Sequence, residues 1–110
     1  MGVHLDARRR LIGQMGRPLT LRRLVANGSP VDLTVRGFEH APSPTDVARG
    51  AQQNDMVFEI LHDEIAAAAW PHPVRQNDKL IEGTRIVTAQ GAWAVHEGAT
   101  IIGWKIPARG

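Results

Sequence analysis

Apolar and polar positions alternate with a period of two over much of the chain, the signature of strands with one buried face. Over residues 17–26, Leu19, Leu21, Arg23 and Val25 share one face, and Thr20, Arg22 and Leu24 the other. Asn27-Gly28-Ser29-Pro30 follows, where Asn and Gly accept positive φ and Pro cannot continue a ladder. Residues 31–39 alternate again, with Val31, Leu33 and Val35 opposed to Asp32, Thr34 and Arg36, so the two segments predict a β-hairpin. Residues 55–61 set Met56, Phe58 and Ile60 against Val57, Glu59 and Leu61. Residues 78–82 and 84–89 predict two strands around a tight turn at Glu82-Gly83, and residues 100–106 a final strand after a turn at Gly98. Between them, Ala92, Trp93, Ala94 and Val95 are placed to extend the 84–89 strand past a glycine bulge. The expected core is Leu21, Val35, Phe58, Ile60, Leu80, Ile86 and Trp104.

Two segments change the period. Residues 5–15 predict a short helix, with Leu5, Leu11, Ile12 and Met15 near one stripe and Arg8, Arg9 and Arg10 mostly facing away. Gly13 weakens its last turns, and Gly16 with Pro18 ends it. Residues 64–69 predict a second helix, rich in alanine, capped by Asp63 and stopped by Pro71 and Pro73. Residues 40–54, with two prolines, Gly50 and small polar residues, predict a long loop of the kind that is functional or mobile. The expected fold is mainly β. It is a single domain, a small antiparallel barrel or sandwich of five to six strands, with a short N-terminal helix (1–16) and one short interposed helix.

Length and composition fit that picture. The 110 residues suffice for one modest core, and 11 Gly with 7 Pro favour a turn-rich chain over a helical bundle. Cysteine is absent, which excludes a disulfide scaffold, a thiolate nucleophile and a Cys-ligated metal, and is compatible with a reducing compartment. No apolar run approaches a spanning helix, and Arg8–Arg10 occupy the place of a signal-peptide core, so no membrane association is expected.

The net charge of +2 hides an asymmetry. Residues 1–23 hold six arginines against Asp6, whereas the remainder holds more acids than bases. Such a head suits a solvated helix face, an acidic protein surface or nucleic acid.

Candidate chemistry is sparse. His4, His40, His62, His72 and His96 are scattered, without the spacing of a metal pair. His62-Asp63-Glu64 is the densest ligand-like run, but consecutive residues at a helix start diverge. Ser29 and Ser43 neighbour prolines, outside any nucleophile motif, and the glycines are dispersed rather than set in a phosphate loop. No catalytic residue, metal or cofactor is expected. A base-stacking surface would need exposed aromatics among basic residues. Phe58 and Trp104 lie on apolar faces, and Trp70 is placed to plug the barrel.

The stretch DEIAAAAWPHPVRQNDKLIEGTRIV, residues 63–87, resembles the small neck proteins of tailed bacteriophages, the head–tail joining or head-completion (stopper) group. The shared pattern is a helix of small residues, a proline-rich loop, an Asp-led strand (Asp78-Lys79-Leu80), a Gly turn and a return strand through Ile86 and Val87. Arg17-Pro18-Leu19-Thr20-Leu21-Arg22-Arg23 after a short helix is similar to the first strand of that group, and Gly50-Ala51-Gln52-Gln53-Asn54-Asp55 to a segment of related prophage proteins. The resemblance implies no enzyme. It implies a ring subunit at the head–tail junction of a virion, present in host cytoplasm during assembly. The ring would sit between a portal or adaptor protein and a tail-side neck or tail-terminator protein, helping to retain DNA. In that setting Arg8, Arg9, Arg10 and Arg17 are candidates for contact with a partner or with packaged DNA. Pro42, Ser43, Pro44, Thr45, Asp46, Arg49, Gln52 and Gln53 are candidates for a subunit-interface or channel loop. The alternative is a small barrel that binds nucleic acid without sequence preference.

Overall fold

The computed structural model describes residues 3–68, 70 and 74–110, with side chains from residue 5 onward. Pro71, His72 and Pro73 lie outside the described residues, as does Ala69, so the expected stop of the second helix does too. Among the described residues the chain runs α1 (Val3–Met15), β1 (Arg17–Arg23), β2 (Val31–His40), α2 (Pro44–Ala48), β3 (Met56–Leu61), α3 (His62–Ala67), β4 (Lys79–Glu82), β5 (Arg85–Ala89), β6 (Trp93–Glu97) and β7 (Thr100–Arg109). All pairings are antiparallel, in the order β3-β2-β1-β4-β5-β7-β6, and β7 also pairs with β3. That last pairing closes a six-stranded barrel, with β6 as one extra strand along β7. The expectation of a mainly β barrel with a helix at its N-terminus holds.

The strand alternation fills the barrel. Leu19, Leu21, Val35, Phe58, Ile60, Leu80, Val87, Trp104 and Ile106 are buried in one cluster. Six of the seven expected core residues are in it, and Ile86 is not, being 56% exposed. The register explains this. Glu82 pairs with Arg85 across a two-residue turn, Gly83-Thr84, in which Gly83 takes φ +61°. Leu80 therefore faces Val87, and Ile81 faces Ile86 on the outside.

Three connections also differ from expectation. β1 ends at Arg23, leaving Leu24 and Val25 exposed in the turn. α3 starts at His62 with Leu61 at its N-cap, without a side-chain cap, and Asp63 binds Arg9 instead. Residues 40–54 are not a plain loop. Ser43 and Asp46 form a reciprocal capping box that opens α2, with Pro44 in its first turn.

The strand past Gly91 is nearly the one the sequence suggests. β6 follows β5 along the same side of β7, with a one-residue shift in register across the break at 90–92. It is a separate strand and has no second neighbour among the described residues.

One end of the barrel is closed by chain. Ile65 of α3, Trp70 and Val74 join the core there, and the Trp70 indole donates to the Val31 carbonyl at 3.2 Å. α1 lies outside the barrel against β2 and β3, seated on Gly103 of β7. A Cβ on Gly103 would lie 2.7 Å from the Ile60 carbonyl oxygen of β3 and 3.2 Å from Cδ of Arg8, so a side chain there would collide with β3 and crowd the arginine.

Candidate functional site

The arginine-rich head is bound to its own domain. Among the described side chains of α1 only Ile12 is fully buried, and Leu11 and Met15 of the expected stripe are exposed. Arg8 does not face away. Its guanidinium pairs with Glu59 on the outer face of β3 and its side chain is largely covered. The other oxygen of Glu59 meets Nε2 of His40 at 2.7 Å. Arg9 donates to Asp63 at 2.6 Å, which holds that carboxyl below the usual carboxylate range. The amide of Leu5 donates to Glu97 at 3.0 Å, and Arg36 donates to the Gly16 carbonyl at 2.6 Å. Arg10 is exposed and has no carboxylate partner among the described residues.

Arg17 belongs to a different group. β1 carries it to the open end of the barrel, where it meets Glu39 at 3.0 Å and Glu82 at 2.9 Å. Arg85 forks onto Glu39 with two contacts of 2.7 Å, and its guanidinium carbon stands 5.8 Å from the Phe58 ring centroid. The hydrogen bonds from Arg85, with Arg17 adding to them against partial burial, hold the Glu39 carboxyl below its ordinary range. A small cavity lined by Leu19, Phe58, Leu80 and Val87 lies by Arg85 and Glu82.

The 40–54 segment is fastened over the outside of β7. Asp46 is fully buried; its carboxylate accepts from the Ser43 amide at 2.9 Å and from Lys105 Nζ at 3.0 Å, and its own backbone N–H donates to the Ser43 hydroxyl at 3.2 Å. Burial pushes the Asp46 carboxyl up, but these donors outweigh it, and the net shift is downward. Asp55 is also buried. Arg109 donates to it at 2.6 Å and the Gln52 amide at 2.9 Å, and the Arg109 bond chiefly holds its carboxyl down.

Of the residues expected to form an interface loop, Ser43 and Asp46 are therefore structural. Pro42, Pro44 and Gln53 line a shallow outer groove together with Ala41, Ser43 and Val47. Thr45, Gln52 and Arg49 are exposed, and Arg49 borders a second groove beside Trp93. The two groups of candidates, on α1 and on 40–54, are tied to neighbouring positions of the sheet, since Glu59, which holds Arg8, lies opposite Lys105, which holds Asp46.

Sequence reasoning missed the buried acids and their partners. The Ser43-x-x-Asp46 spacing was a readable sign of the capping box, but nothing local links Asp46 to Lys105 or Asp55 to Arg109. Among the described residues no group of three or more His, Asp or Glu is placed to hold a metal ion, and every buried side-chain polar atom has a partner. No helix there is long and apolar enough to cross a membrane. Comparison with known proteins finds no matching family, no matching curated protein and no matching solved structure.

Proposed function

We propose that the chain is a structural subunit of the head–tail connector of a tailed phage or prophage, of the head-completion or stopper tier. In this reading it packs as a ring between the portal or adaptor and the tail, carries no catalytic activity, and helps to hold DNA in the head. The observation that carries the reading is the form of the segment bearing the resemblance. Its described part is a short helix leading to a hairpin turned at Gly83, built into a small closed barrel. Head-to-tail contacts between unlike patches would close such subunits into a ring, and repetition around the axis would compensate for weak single contacts.

The nucleic-acid alternative is the weaker one. Arg8, Arg9 and Arg17 spend their charge on Glu59, Asp63 and Glu39, and neutralised guanidiniums release few counterions from a phosphate backbone. The same pairs make replacement of Arg8 a test of folding rather than of attachment. Arg10→Gln is the cleaner probe of the head.

Imaging of assembled particles tests the function. This chain should stand at the head–tail junction, and particles lacking it should lose DNA or fail to join tails. Particles that lack it yet keep their DNA and carry tails would overturn the reading.

A further inference from the structure

The break between β5 and β6 leaves a groove whose chemistry is one-sided. It is lined by Arg49 and Gly50 on one wall, by Gln90, Gly91, Ala92 and Trp93 on the other, and by Pro107. Among the described residues no Asp or Glu lines it. Arg49 is exposed and has no carboxylate partner among the described residues, in contrast to the nearby Lys105 and Arg109, which Asp46 and Asp55 neutralise. Gln90 donates its backbone N–H to the Pro107 carbonyl, at 2.8 Å. The N–H groups of Gly91 and Ala92 donate to no protein acceptor among the described residues, and neither does the Trp93 indole. The groove thus offers a cation, spare donors and an aromatic face, with no acceptor charge to repel an anion. It ends at the start of β6, the strand without a second neighbour among the described residues.

From this geometry we infer that the groove and the β6 edge take an extended acidic peptide segment of another protein, in which a carboxylate stands next to an apolar side chain. The carboxylate meets Arg49 and the apolar group packs on Trp93. The peptide backbone adds to β6, as strands add to open sheet edges. A nucleic-acid strand fits less well, because it needs a run of free cations along its backbone and the groove holds a single one. The inference goes beyond the connector reading and does not depend on ring formation.

A labelled peptide alternating aspartate and valine, its lysine–valine counterpart and an oligo-thymidylate are the three probes. Each is titrated into the full chain with amide resonances observed. The aspartate peptide should shift Arg49 and residues 91–97, and the lysine peptide should not. Arg49→Gln should weaken binding by about tenfold, and Arg49→Glu further, as loss of a charge-assisted hydrogen bond implies. Both substitutions sit on an exposed side chain, so an unchanged spectrum elsewhere reports an intact fold. Three outcomes would overturn the inference. They are an aspartate peptide that leaves 91–97 unmoved, equal binding by the Arg49 variants, and an oligo-thymidylate that occupies the groove in preference to the peptide.

Discussion

The two ends of the barrel solve the same problem with different means. Each places arginine on the inward face of β1, where the alternation calls for an apolar side chain. At the closed end Arg23 forks onto Asp78 at 2.9 and 2.7 Å, and its guanidinium lies 4.7 Å from the Trp70 ring centroid. Both partners are almost fully buried. Asp78 also accepts from the Arg75 amide at 2.9 Å, so the pair is anchored to the turn before β4. At the open end, Arg17 and Arg85 share Glu39 and Glu82 in a network whose arginines are 58% and 44% exposed. The difference lies in what covers the charges. Ile65, Trp70 and Val74 close one end, whereas solvent reaches the other. A buried pair is costly to break because desolvation has already been met, and an exposed one is screened.

The largest effect follows at the closed end. Asp78→Ala removes the carboxylate from a buried guanidinium and should cost about 3–5 kcal/mol in denaturant unfolding. The paired substitution Arg23→Met with Asp78→Leu should recover much of that loss, because no charge is then left inside. A loss below about 1 kcal/mol for Asp78→Ala would put this end on the same footing as the open one.

Acid should separate the regions next. Glu39, Asp46, Asp55 and Asp63 all have carboxyls held below their unfolded values. A carboxyl lowered in the folded state adds stability that is complete above its unfolded pKa and lost as pH falls through the folded one. Stability should therefore be level near neutrality and decline below the ordinary carboxylate range, about pH 4. Asp46→Asn together with Asp55→Asn should flatten that decline. Stability that rises between pH 5 and pH 3 would contradict the direction of all four shifts.

Much of the barrel is legible in the sequence, because alternation is a local pattern and burial follows it. Leu21, Val35, Phe58, Ile60, Leu80 and Trp104 are read correctly from their own strands, and Leu19 and Arg23 are placed on the face of Leu21, which is buried. Ile86 fails because Ile86 and Val87 are adjacent and both apolar, so the strand alone does not fix its phase. The two-residue turn at Gly83-Thr84 does, by pairing Leu80 with Val87. The carboxylate partners are not legible at all. Asp78 is 55 residues from Arg23, and Glu59 is 51 from Arg8, so only the closed sheet brings them together. Arg8 and Arg9 read as part of a free basic face for the same reason: the acids they bind most closely lie on β3 and α3.

A pair of truncations tests that register. Val87→Ala opens a void beneath the hairpin and should cost about 2 kcal/mol, whereas Ile86→Ala on the outer face should stay within about 0.5 kcal/mol. The reverse ranking would require the β4–β5 register to slip by one residue. Thermal unfolding of the two variants side by side decides it.

The smallest effect belongs to the open end. Arg85→Gln removes the fork onto Glu39, but Arg17 remains beside that carboxylate. With the arginine substantially in solvent, screening reduces the contribution of the pair, and the cost should be below about 1 kcal/mol. Salt gives the sharper reading. The gap between wild type and Arg85→Gln should shrink as ionic strength rises, since exposed charges are screened within roughly 10 Å at 0.1 M salt. The gap for Asp78→Ala should move less, because its partner Arg23 is almost fully buried. Equal salt sensitivity at the two ends would mean that Ile65, Trp70 and Val74 do not keep solvent from Arg23, and the contrast between a covered and an open pair would fail.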